Sequence, residues 1–290
     1  MSIRLHSAVI AGLVCAASIT SSAQSGSLPT ASPEQRAEAR DIFKQLIEIN
    51  TTDTPKGSVT AAAKAMQKRF LDAGFPPEDM HLLGPDPNKM NLIVRIPAAA
   101  PTSEKPILFL GHLDVVEALP TDWHTNPFEF VEKDGYFYGR GTQDMKESDA
   151  ALVWTFLRLH REGYKPKRDL ILALTADEEG GKFNGPEWLL QNHRDLVDCA
   201  FVINMDAGGI ELDHGRPVVA DVEATEKVYA DYVVTARNPG GHSSRPRPDN
   251  AIYELTIALN KLAAYSFPFE LNGVTRTYFH NLDKQESGQT

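Results

Sequence analysis

Four short stretches of the chain combine side chains that can bind a cation with side chains that can move a proton. They are Gly111-His112-Leu113-Asp114, Gln143-Asp144-Met145-Lys146, Asp177-Glu178-Glu179-Gly180-Gly181 and Met205-Asp206-Ala207-Gly208-Gly209. A neutral His112 offers a ring nitrogen suited to zinc. Asp114, two residues on in extended backbone, lies on the same side and can take the other ring N–H, fixing the tautomer. Asp144 has two oxygens and could bridge two ions. Glu178 and Glu179 are adjacent, so their side chains diverge: one can bind metal while the other faces a bound water as base. Asp206 supplies a further oxygen. Without cations, carboxylates packed this closely would repel and raise one another's pKa. Singly, each residue has a plainer reading: a surface histidine beside an acid, a solvated Glu-Glu pair, or helix N-caps at Asp144 and Asp206.

The elements that must carry these residues are legible as apolar runs. Pro106 to Leu110 (PILFL), Asp169 to Thr175 (DLILALT) and Ala200 to Asn204 (AFVIN) each read as a strand buried on both faces. Asn91 to Ile96 alternates as another strand. Helical spacing covers Pro33 to Asn50, the stretch from Ser58 to about Ala73, Asp149 to Arg161 and Pro186 to Asn192. An Asp134-Gly135 turn is expected within Lys133 to Tyr138. Strands alternating with helices indicate an α/β fold with a mostly parallel sheet flanked by helices. In such sheets ligands bind where the strands' carboxyl ends emerge. Three of the four motifs directly follow apolar runs, so they should meet on one rim.

Composition narrows the partners. The chain has 290 residues, 29 Lys+Arg against 39 Asp+Glu and a net charge of −10. That balance argues against nucleic acid or an anionic membrane as the main partner. Arg4, the apolar Ala8 to Ile19 and the small residues Ser21-Ser22-Ala23 read as a secretory signal peptide over residues 1–23. The expected location is therefore secreted or periplasmic, with no membrane attachment after cleavage. Cys15 leaves with the signal, and Cys199 remains as a core residue with no intramolecular disulfide.

The motifs Gly-His-Leu-Asp-Val-Val, Gly-Arg-Gly-Thr-Gln-Asp-Met-Lys, Asp-Glu-Glu-Gly-Gly and Asn-Met-Asp-Ala-Gly-Gly, in that order, resemble the M20 family of zinc metallopeptidases. The family includes carboxypeptidases, aminopeptidases, dipeptidases and aminoacylases. The resemblance implies two divalent ions, zinc in type, with His112 and Asp206 on one and Asp144 bridging. It implies Glu179 on the second ion, Glu178 as general base, Asp114 orienting His112 and a cis peptide after Asp144. The reaction implied is hydrolysis of an amide bond in a peptide or an N-acyl amino acid.

The pattern changes near Thr225. Residues 24–225 read as the metal-binding catalytic domain. Residues 226–290 read as part of an inserted α+β lid or dimerisation domain, with strands at Lys227 to Arg237 and Phe267 to Thr277 around a helix at Ala251 to Ala264. Within the resemblance, Gly240-Gly241-His242-Ser243-Ser244 matches a lid loop whose histidine reaches a partner subunit's site and stabilises the oxyanion. The family returns from the lid with a histidine that completes the second ion's site. None is found here beyond His280, in lid sequence, so the chain is expected to be a fragment with little activity of its own and a homodimeric parent. Two other readings stand beside this one. One is an amidase acting on a metabolite, such as a desuccinylase. The other is a non-catalytic homologue, against which the intact Glu178-Glu179 pair argues.

Overall fold

The computed structural model describes residues 31–286 apart from 215, 227 and 229. The expected signal segment lies outside the described residues. Among those described, no helix is long and apolar enough to cross a membrane. Two compact units divide the chain between Ile203 and Asn204, earlier than the change of pattern near 226.

In the first unit, helix α1 (Pro33–Glu48) starts on Ser32, whose hydroxyl accepts from the Gln35 N–H while the Gln35 side chain accepts from the Ser32 N–H. Its 3.6-residue periodicity buries Ile42, Phe43, Leu46 and Ile47. Helix α2 (Val59–Asp72) is capped by Ser58 and buries Met66 and Phe70. Strands β1 (Met80–Leu83), β2 (Asn91–Ile96) and β3 (Ile107–His112) follow. A hairpin of β4 (Val131–Lys133) and β5 (Tyr136–Tyr138) turns at Asp134 and Gly135, both at positive φ. Helix α3 (Lys146–Arg161) leads to β6 (Leu170–Thr175), short helices α4 (Gly185–Asn192) and α5 (Arg194–Val197), and β7 (Phe201–Asn204).

The main sheet has the order β1-β2-β6-β3-β7. The parallel pairing expected from the alternation joins β3 to β6, whereas β1–β2 and β2–β6 are antiparallel. The sheet is therefore mixed. A loop of a few residues can join antiparallel strands, as between β1 and β2, but parallel neighbours need a longer crossover. Strand β6 is buried along its whole length. Leu170, Leu172 and Leu174 pack with α1, α2 and α3 residues such as Leu46, Phe70 and Phe156. Ile171 and Ala173 pack on the opposite face with Leu189 and Val197. That two-sided burial is why the run carries no polar alternation. The run at β7 has the same apolar character but a different fate: Phe201 is 50% and Val202 48% exposed. The expectation of burial fails there because β7 stands at the end of the strand order, and Cys199 before it is only half-buried.

The second unit begins with a hairpin of β8 (Gly209–Asp213) and β9 (Arg216–Asp221). Helix α6 (Ala251–Ala263) is capped by Asn250 and has no buried residue. The strand expected over 227–237 is absent among the described residues there. The strand expected over 267–277 is replaced by helix α7 (Gly273–Glu286). The reason is local: the Asn272 side chain accepts from the Thr275 N–H at 2.8 Å, an N-cap that outweighs the β-propensity of the aromatic residues.

Leu172 is fully buried at the centre of the sheet. Leu172→Ala should lower unfolding free energy by about 2–5 kcal/mol, measured by urea denaturation. A loss below about 1 kcal/mol would mean that the strand is not the core element described.

Candidate functional site

The parallel register of β3 and β6 sets His112 opposite Thr175. The Leu113 N–H then donates to the Thr175 carbonyl at 2.8 Å, and the Thr175 hydroxyl to the Gly111 carbonyl at 3.1 Å. Two strand ends are thus locked side by side, and the segments His112–Asp114 and Asp177–Glu179 leave the sheet together.

His112 is buried. Its Nδ1 lies 3.0 Å from the Asp114 backbone carbonyl, which can only accept, so Nδ1 carries a proton. Nε2 lies 3.1 Å from Asp144 Oδ1 and 3.8 Å from Glu178 Oε2. Both ring nitrogens therefore face oxygen acceptors. A neutral imidazole has one N–H, so the Nε2 side calls for either a second proton or a cation between ring and carboxylate. A nitrogen with carboxylate oxygens around it is a donor set that divalent cations such as zinc accept.

Asp114 does something its spacing did not suggest. The carbonyl, not the carboxylate, meets Nδ1; the nearer carboxylate oxygen is 3.7 Å away. The carboxylate instead accepts from the Glu178 N–H at 3.1 Å and the Glu179 N–H at 3.0 Å, one on each oxygen. Burial raises the pKa of Asp114, and the bond from Glu178 and the proximity of His112 pull it back.

Asp144 is largely exposed, just before α3, and the Asp144–Met145 peptide is cis. Burial and then the Asp144 carboxylate hold Glu179 above the ordinary carboxylate range, while His112 acts in the opposite direction. Glu178 is half-exposed, open to water. The first unit thus brings together His112, Asp114, Asp144 and Glu178, with Glu179 next in chain.

Asp206 and His242 belong to the second unit. Asp206 follows the end of β7 by two residues, and its N–H is bonded to the Asn204 side chain at 3.2 Å. His242 is exposed, and its Nδ1 accepts from the Ser244 N–H at 3.2 Å. In the neutral ring the proton is then on Nε2, which is left to donate.

Several supporting residues have no role assigned by the sequence, although Lys146 and Asp177 lie within the motifs. Lys146 is fully buried and donates from Nζ to the Leu46 and Ile49 carbonyls, at 2.9 Å each, at the C-terminus of α1. Burial pushes its ammonium down to about 7, against the pull of Asp149 and Asp114. Asp149 lies beneath Gly111, where a Cβ would come within 2.2 Å of Asp149 Oδ1. Burial raises Asp149 well above the usual range. Asn91 accepts from the Ala176 N–H at 3.0 Å. Lys89 pairs with the buried Asp177. Membership of a motif marked Lys146 and Asp177, and a polar residue opening an apolar run marked Asn91; Lys89 and Asp149 had no such signal.

A family model described as Peptidase family M20/M25/M40 matches residues 108–275. The N-fatty-acyl-amino acid synthase/hydrolase PM20D1 of Bos taurus is 30% identical over 246 residues, which are 82% of this chain and 48% of that protein. Aminoacylase-1B of Rattus norvegicus is 28% identical across 80% of this chain and 55% of its own. The chain spans about half the length of these curated relatives. Among solved structures, human carnosine dipeptidase 1 superposes with a TM-score of 0.50 at 17% identity, over 61% of this chain and 40% of that one, a likeness of fold.

Asp114→Asn would set an amide NH2 against one of the two backbone N–H groups. The substitution should lower kcat/KM about 10–100-fold while the carbonyl bond to His112 stays. A value within about twofold of the parent would show that the carboxylate is not needed to hold Glu178 and Glu179.

Proposed function

This chain belongs to peptidase family M20/M25/M40, and on that premise we propose that it hydrolyses the amide bond of N-acyl amino acids, with dipeptides as a second substrate class. The observation that carries the reading is the His112 ring, with Nδ1 committed to the Asp114 carbonyl and Nε2 facing the carboxylates of Asp144 and Glu178. The names of the relatives support the substrate class: one is an N-fatty-acyl-amino acid synthase/hydrolase and another an aminoacylase.

The ligand set proposed is His112, Asp144 and Asp206 for one ion and Asp144 with Glu179 for a second, with zinc as the metal. When bound there, a divalent cation supplies a Lewis acid and lowers the pKa of water from 15.7 to about 7. Asp114 presents the backbone of Glu178 and Glu179 and keeps the proton of His112 on Nδ1. Glu178, half-exposed beside His112, takes a proton from the attacking water. The water oxygen bonds to the carbonyl carbon, the C–N bond breaks, and Glu178 returns the proton to the leaving amine. His242, contributed by a second copy of the chain, would donate from Nε2 to the developing oxyanion. Export across a membrane is part of the reading and rests on the apolar stretch Ala8 to Ile19.

Two substitutions test the assignment on N-acetyl-L-leucine, N-lauroyl-L-leucine and L-leucyl-L-leucine. Glu178→Gln should keep bound metal and lower kcat by at least about 100-fold; near-parental turnover would remove Glu178 as the base. His112→Ala should reduce metal per chain as well as turnover, by elemental analysis of dialysed protein. Unchanged stoichiometry would strike His112 from the ligand set.

A further inference from the structure

Asp177 is not a ligand in the reading above, yet it is among the most constrained residues near the site. It sits between the end of β6 and Glu178, with φ at 56°, in the left-handed region that L side chains seldom occupy. Its side chain is 1% exposed. One oxygen accepts from the Phe183 N–H at 3.2 Å, and its backbone carbonyl accepts from the Asn184 side chain at 3.5 Å. The other oxygen meets Lys89 Nζ at 2.5 Å. The turn closes so tightly over the carboxylate that a Cβ on Gly181 (φ +105°) would fall 2.4 Å from Asp177 Oδ2.

Lys89 comes from a distant part of the chain, the loop between β1 and β2. The loop is anchored there: the Lys89 N–H donates to the Asp86 carbonyl at 3.0 Å and the Met90 N–H to the Thr60 hydroxyl at 3.0 Å. The Lys89 side chain is 12% exposed, and its ammonium also meets Asp53 at 2.8 Å. A buried carboxylate is tolerated when a cation and hydrogen bonds satisfy it. Glu178 is therefore held from two sides. Asp114 grips its N–H, and the preceding residue is pinned in an unusual conformation by a cation from another loop.

We propose that Lys89 is a positioning residue for Glu178, acting through the buried carboxylate of Asp177. The proposal rests on the reading of Glu178 as the base. Lys89 touches neither water nor substrate. It fixes the backbone turn from which Glu178 projects, so its loss moves the base relative to His112 and Asp144. Displacements of about 1 Å cost up to about 100-fold in rate.

The test uses the full metal-loaded chain and the best-turned-over of the three substrates named above. Lys89→Met alone leaves a buried charge unpaired and can fail to fold, so the decisive variant is the double substitution Lys89→Met with Asp177→Asn. It should keep metal content and, within about twofold, KM, while kcat falls at least about tenfold. Lys89→Arg, which keeps the cation, should stay within about threefold of parental kcat. Amide hydrogen exchange across residues 176–184 should rise about tenfold in the double variant, a readout independent of turnover. Parental kcat or unchanged exchange in the double variant overturns the proposal, as does a Lys89→Arg enzyme as slow as the double variant. Glu178→Gln separates the two ideas. If it is inactive while the double variant is fully active, only the role of Lys89 fails. If it keeps parental kcat, the base assignment itself fails.

Discussion

A single buried carboxylate ties the site together. Asp114 accepts one backbone N–H on each oxygen, from Glu178 and Glu179, and its own carbonyl takes the Nδ1 proton of His112. Three consequences follow from one residue: the ring tautomer, the placement of the Glu-Glu pair, and the distance between them. A carboxylate is suited to this because it has acceptor capacity on both oxygens and no donor to clash with an N–H. The grip is possible only because β3 and β6 run parallel and end level, His112 against Thr175.

The same compactness creates an electrostatic conflict that the surroundings manage in different ways. Asp177 is balanced by Lys89. Asp114 is balanced by backbone N–H groups and a nearby ring. Glu179 has the Asp144 carboxylate and the His112 ring as neighbours, and burial and Asp144 raise it against the pull of His112. Behind β3, burial raises Asp149 and lowers the neighbouring Lys146, so each is moved toward its uncharged form. The carboxylates of Asp144 and Glu178 face His112 Nε2 on the open side, where a divalent cation would be most stabilising.

Much of the first unit was legible because its signals are local or periodic. Continuous apolar runs marked β3 and β6, and the 3.6-residue spacing of Ile42, Phe43, Leu46 and Ile47 marked α1. The second unit was read less well. An aromatic-rich segment suggested a strand at 267–277, but the Asn272 cap makes 273–286 helical. The run at β7 is as apolar as that at β6 and yet half-exposed, because burial depends on what lies on either side of a strand and composition does not report that.

By itself the chain's order of residues determined which chemistry is available: one imidazole and several carboxylates, each placed just past an apolar run or just before a helix. It also determined that the runs form an α/β sheet whose edge gathers them, because strand length and apolar continuity are local properties. Tertiary structure alone decided who touches whom. That Asp114 faces backbone N–H groups 64 and 65 residues away rather than the ring two residues before it depends on strand register. That Lys89 meets Asp177 across 88 residues depends on how two loops fold over one sheet end. Such contacts are set by long-range packing, in which each partner's position is fixed by elements far away in sequence, and no local pattern encodes it.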